Sequence, residues 1–145
     1  MKDLIKAKEL LAEKDFTCVL VKGEEILVSQ KKGISPVLDL LNQKVDLSGF
    51  SVADKIVGKA AAMLFCLAKI KKVFAGVISE TAIEFLRENG IPFEYDIKTE
   101  KIINRKGDGI CPMEKCVENI SDVNLAFSEL VIKRDELRGV KQWKN

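Results

Sequence analysis

From Ala53 to Ile70 the chain runs almost unbroken through apolar and small residues, and this segment limits the possible fold more than any other. At helical spacing, Ile56, Val57, Ala60, Ala61, Leu64, Phe65 and Ala68 form one stripe, while Ala62, Met63, Cys66 and Leu67 fill the opposite side. A helix that is apolar all round must be enclosed by other elements. The spacing therefore predicts a buried helix over 53–70 that keeps charge only in its first two turns, at Asp54, Lys55 and Lys59. Its longest uninterrupted apolar run, Ala60 to Ala68, is nine residues, well short of the ~20 that span a bilayer. Enclosure must come from the protein itself, and no membrane partner is expected.

The flanking segments supply that enclosure. Leu4, Ile5, Leu10 and Leu11 among lysines and glutamates predict an amphipathic helix ending near Asp15. Phe16 to Val21 and Glu25 to Ser29 are β-rich runs on either side of Lys22-Gly23-Glu24, a hairpin signature. Gly33 to Gln43 reads as a short helix with Pro36 in its first turn. Lys72 to Ile78 is a continuous apolar strand, followed by a helix over 79–89 with Ser79 as N-cap and Gly90 just past its end. Pro92 to Asp96 and Lys101 to Asn104 are further strands, and Pro112 to Asn119 and Asp122 to Leu137 are helices. Strands alternating with helices predict an α/β fold, a three-layer α-β-α sandwich with a mixed sheet of about five strands. One domain is expected over residues 1–137, with 138–145 as a flexible tail.

Composition narrows the chemistry. The chain has 145 residues, 47% of them hydrophobic, and a net charge of +2. That near-neutral balance lacks the clustered basic surface on which phosphate-backbone binding rests, so no nucleic-acid partner is expected. The start, Met1-Lys2-Asp3-Leu4-Ile5-Lys6, mixes charges with no apolar core of a secretory signal. A cytoplasmic setting follows as the expectation, with Cys18, Cys66, Cys111 and Cys116 reduced. Twenty Lys against four Arg, many Glu and only three Gln point toward a thermostable protein. There is no His, which removes imidazole as base, proton shuttle or metal ligand.

Two helix beginnings could carry chemistry. In Asp54-Lys55-Ile56-Val57-Gly58-Lys59-Ala60 the small residues permit close backbone approach, Asp54 can cap the helix and Lys59 lies one turn further in. The plain alternative is a cap with small-residue packing; the functional one makes Asp54 a general base or orienting acid and Lys59 an anion partner. In Gly107-Asp108-Gly109-Ile110-Cys111-Pro112-Met113-Glu114, Pro112 at the first helical position makes Cys111 the N-cap and Glu114 the residue able to satisfy the N-cap N–H. A thiol at a helix N-terminus is favoured as thiolate, although an inert cap in a Gly-rich turn fits the same residues. Zinc is not expected: Cys111 and Cys116 are five apart, and no His can complete a tetrahedral set. Cys18 and Cys66 read as small core residues.

The element order, the two helix starts and the distance between them resemble the cytidine deaminase-like fold. Asp54-Lys55-x-x-Gly58-Lys59-Ala60-Ala61-Ala62, Val77-Ile78-Ser79 and Cys111-Pro112-Met113-Glu114 resemble a small uncharacterised prokaryotic family within that superfamily. Catalytic members carry His-x-Glu, or a Cys variant, at the first helix and Pro-Cys-x-x-Cys at the second, holding the zinc that generates hydroxide. This chain departs at both places, offering Asp54-Lys55 at the first and Cys111-x-x-Glu114 at the second. The resemblance thus implies the architecture and a pocket between two helix starts, with the zinc chemistry lost or replaced.

The expected function is a deaminase-like domain that binds a nucleotide-like or other small anionic ligand between two helix N-termini, through Lys55, Gly58, Lys59 and Gly109. The competing reading is an enzyme using Cys111 as nucleophile, assisted by Asp54 or Glu114, on a small nitrogen-containing or acyl substrate. A residual metal-dependent hydrolase or deaminase is the third. No cofactor is expected, and a homo-oligomer is possible because members of the superfamily often assemble.

Overall fold

A computed structural model describes residues 2–139. Helix α1 (Lys2–Glu13) leads into a hairpin of β1 (Cys18–Lys22) and β2 (Glu25–Ser29), then α2 (Ser35–Asn42), β3 (Ser51–Val57) and α3 (Lys59–Ala68). β4 (Lys72–Ser79), α4 (Glu80–Glu88), β5 (Phe93–Thr99), α5 (Pro112–Val117) and α6 (Val123–Leu137) complete the chain. The five strands form one mixed sheet in the order β2-β1-β3-β4-β5. β1 runs antiparallel to both its neighbours, while β3, β4 and β5 are parallel. The fold is the three-layer α/β sandwich implied by the resemblance to the cytidine deaminase-like fold.

The two faces of the sheet are covered unequally. On one face α1 alone buries Leu4, Ala7 and Leu11 against Val19, Val21, Ala53 and Phe74. On the other, α2, α4, α5 and α6 surround α3, and Met63, Leu64 and Phe65 are fully buried there with Val52, Val73 and Ala75 of the sheet. At roughly 25 cal/mol per Å² of apolar surface, this is where hydrophobic stabilisation concentrates. No helix among the described residues is long and apolar enough to cross a membrane.

The predicted helix over 53–70 is two elements. Its first part is β3, the third strand of the sheet, in register with β1 (Cys18↔Asp54) and with β4 (Asp54↔Ala75). A central strand reads as a nearly continuous apolar run, so Val52, Ala53, Ile56 and Val57 satisfy both the helical and the extended pattern, although Lys55 and Ile56 are exposed. Gly58 divides the two: it sits in extended conformation (φ −103, ψ −175) as the N-cap of α3. The expected strand over 101–104 reduces to one bridge, Ile103↔Ile110, and β5 extends to Thr99 rather than ending at Asp96. About five strands were expected and five are present among the described residues, with β3 replacing the segment at Lys101. Ser79 caps α4 as its sequence predicts, its hydroxyl accepting from the Ala82 N–H at 3.1 Å. Of the predicted tail, residues 140–145 lie outside the described residues.

Candidate functional site

The start of α3 is held by a residue far away in sequence. Gly58 has no side chain to cap the helix, so its first free N–H groups need another acceptor. Glu114, from α5, supplies it: the Lys59 N–H donates to Oε1 at 2.7 Å and the Ala60 N–H to Oε2 at 2.8 Å. A Cβ on Gly58 would fall onto this carboxylate, so glycine is required there for space and not for an unusual backbone angle. α3 returns the contact, since the Lys59 ammonium donates to the carbonyls of Val117 and Glu118 at 3.0 and 3.2 Å, at the end of α5. Each helix thus caps the other, with charge signs that suit both dipoles. Burial pushes the Glu114 carboxyl above its usual range, while the two N–H groups and the Lys59 charge pull it back.

Glu114 therefore does not close a capping box on its own helix, as its position three residues after Cys111 suggested. Cys111 is the N-cap of α5, with Pro112 at the next position, and its thiol makes no capping bond. Its N–H donates to the Ile102 carbonyl at 3.0 Å, and its carbonyl accepts from the Lys115 N–H. Gly109 lies in the preceding loop, where its carbonyl accepts from the Asn104 N–H at 2.8 Å. Asn104 and Asp108 close that loop with two further hydrogen bonds.

Asp54 is not a helix cap. It lies inside β3, four residues before Gly58, and only 6% of it is exposed. Burial raises its pKa to about 7, opposed by the N–H groups of Ile56 and Lys55. The neighbouring Cys18 thiol is pushed well up by burial and by the Asp54 charge. Lys55 is the next residue along the strand and lines a shallow cavity of about 330 Å³ with Lys8, Leu11, Phe74 and Asp96, on the α1 face of the sheet. The residues singled out from sequence thus separate: Gly58, Lys59 and Glu114 meet, Cys111 and Gly109 precede α5, Asp54 is in the sheet interior, and Lys55 is on the α1 face.

One feature has no sequence signal. Ile110, Pro112, Lys115, Cys116 and Lys133 border a cavity of about 470 Å³ between α5 and α6. Its two lysines come from helices joined by a turn, and neither spacing nor composition marks them as neighbours.

With the geometry in place, three comparisons bear on identity. Residues 6–133 match the sequence model of a domain of unknown function, DUF1893. A crystal structure of a DUF1893 family protein from Thermotoga maritima superposes with a TM-score of 0.84 at 32% identity, covering 92% of this chain and 91% of that one. A dCMP deaminase from the cyanophage S-TIM5 gives a TM-score of 0.45 at 12% identity, over 68% of this chain and 94% of its own. A diaminohydroxyphosphoribosylaminopyrimidine deaminase/reductase from Thermotoga maritima gives 0.40 at 19% identity, over 65% of this chain and 35% of its own. No curated protein matches.

Proposed function

The chain belongs to the DUF1893 family, domains of unknown function, and on that footing we propose that it is a deaminase-like domain without a resident zinc ion, which binds a small anionic ligand, nucleotide-like in its charge, at the start of α3. One observation carries the proposal: this helix start already holds an anion. Two N–H groups converge on one carboxylate, and a glycine leaves the space that carboxylate fills. Helix starts of this kind accept phosphate and carboxylate groups alike. A ligand phosphate takes the place of Glu114, whose raised pKa makes it easier to neutralise and release than an exposed glutamate. Lys59, the first residue of α3, adds positive charge beside it.

Against a resident zinc ion stands the donor set. Both Glu114 oxygens are engaged by backbone N–H groups. Among the described residues, no three of His, Cys, Asp and Glu gather closely enough to hold a metal ion. A reducing, cytoplasmic setting belongs to the same proposal, since Cys18, Cys66, Cys111 and Cys116 are all free thiols.

The reading with Cys111 as nucleophile has one observation in its favour, a half-buried thiol with no capping bond at the head of α5. Its expected helpers are committed elsewhere, Glu114 to α3 and Asp54 to the sheet interior, so the geometry supports ligand binding better.

Thermal unfolding with inorganic phosphate and with nucleoside monophosphates tests the proposal, using the natural chain and Glu114→Gln. Saturable stabilisation is expected in both, stronger in the variant because the competing charge is gone. Absence of a saturable shift in both proteins, each shown folded by circular dichroism, overturns it.

A further inference from the structure

The sheet has two open edges, and they are guarded very differently. Along β5 the charged residues Glu94, Asp96 and Lys98 alternate with the others, and Glu94 is pinned by Lys8 at 2.9 Å and Lys72 at 3.4 Å. Along β2 the only charge is Glu25 at its first position, and there is no proline. Natural proteins normally blunt an open strand with one or the other.

β2 also exposes the wrong side chains for a strand meant to face water. Ile26 and Val28 pair with Val21 and Val19 of β1, which α1 buries to 1% and 0% exposure, yet they themselves remain 42% and 46% exposed. α1 covers β1 and stops short of the edge. The hairpin geometry then fixes which backbone groups are free. A two-residue turn with Gly23 first, at φ +60, makes Lys22 and Glu25 the hydrogen-bonded pair that closes it. Hydrogen-bonded and non-hydrogen-bonded pairs alternate from there, so the N–H and C=O of Ile26 and Val28 point away from β1.

We propose that β2 is a homodimer edge, pairing antiparallel with β2 of a second copy about a two-fold axis at Leu27, so that the two sheets become one of ten strands. In that register Ile26 lies opposite the partner's Val28, and the reverse, so the outward N–H and C=O groups of all four residues pair. The four β-branched side chains meet in one row on the α1 face. Charge selects the antiparallel sense and this occupant. Glu24 precedes the strand, Glu25 opens it, and Lys31 and Lys32 follow it, so a two-fold brings the acidic end of one copy beside the basic end of the other. A parallel pairing sets like charges together. Lys31 is held by Asp39 at 2.6 Å within its own chain, which leaves Lys32 for the contact with Glu24.

Sedimentation of the full chain over a concentration series tests this, together with amide hydrogen exchange. The expected result is a dimer at about 100 µM, with the Ile26 and Val28 amides protected at high concentration and exchanging freely on dilution. Val28→Pro deletes one outward N–H without touching a bond to β1, so it should give a monomer that melts as the natural chain does at dilutions where that chain is itself monomeric. Should that variant fail to fold, Val28→Lys at the same exposed position makes the same test. Glu24→Lys is expected to weaken dimerisation about tenfold, and adding Lys32→Glu in the same chain to restore it. A natural chain that stays monomeric at about 100 µM overturns the proposal. So does a dimer that survives Val28→Pro undiminished, or one in which Ile26 and Val28 exchange at the same rate at all concentrations.

Discussion

Asp54, which is buried, and Glu114, which is partly buried, are two carboxylates that sequence placed in one site, and their surroundings in the structure are opposite. Both are pushed up by loss of water. Glu114 is met by two N–H groups from a helix start and by the Lys59 charge. Asp54 has only the N–H groups of its own strand, at 3.4 Å for Ile56, and a thiol beside it. Desolvation of the same sign therefore accompanies different roles. Glu114 fastens α5 to α3, whereas Asp54, with its pKa raised to about 7, is left as a group that the sheet interior favours in its neutral form.

The contrast breaks most severely at Gly58. Gly58→Ala places a methyl where the Glu114 carboxylate sits, so the carboxylate must leave and two N–H groups lose their acceptor. The expected loss is about 3–4 kcal/mol in urea unfolding, with the melting curve still cooperative. Glu114→Ala removes the same hydrogen bonds without the collision, and a loss of about 2–3 kcal/mol is expected. Should Gly58→Ala prove as harmless as an ordinary surface change, the mutual capping of α3 and α5 is not what holds this corner.

How much of this was legible follows from which partners are local. The buried second half of the 53–70 segment could be read directly, since Lys59 to Ala68 satisfies only the helical period. The first half could not, because a central strand and an apolar helix share the same residues. A charged Asp54 ahead of alanines also mimics an N-cap. Gly58 was read as allowing close approach, and it does; the approaching group is Glu114, 56 residues later, which no spacing rule announces. The reciprocal bond from Lys59 to the end of α5 was hidden for the same reason.

A milder effect separates the two carboxylates by pH. The Asp54 pKa is raised from 3.8 to about 7 in the folded chain, so between those values the folded state holds more protons than the unfolded one. Stability must then fall as pH rises through that window and level off above it. Glu114, raised in the same direction, adds to the slope from its ordinary range upward. Asp54→Asn removes the Asp54 part: the variant is expected to be about 1–2 kcal/mol more stable than the natural chain at pH 8, after the cost of a poorly paired amide. Near pH 4 the order reverses, because the protonated acid and the amide then differ only in that pairing. Stability curves that run parallel from pH 4 to 8 count against the raised pKa.

The smallest effect is expected at Gly109, the other glycine singled out for a ligand contact, and it sharpens the meaning of Gly58. A Cβ at Gly109 would have the Asn104 amide nitrogen at 3.6 Å as its nearest neighbour, an ordinary contact. Its backbone does not adopt the positive φ found at Gly107, the glycine two positions earlier. Gly109→Ala should therefore change stability by less than about 0.5 kcal/mol, with a slight gain possible through the unfolded chain. If phosphate still stabilises that variant while failing to stabilise Gly58→Ala, the anion corner lies at the start of α3 and the Gly-rich loop before α5 plays no part in it. Equal loss of the phosphate response in both would instead bring Gly109, and with it the head of α5, back into the site.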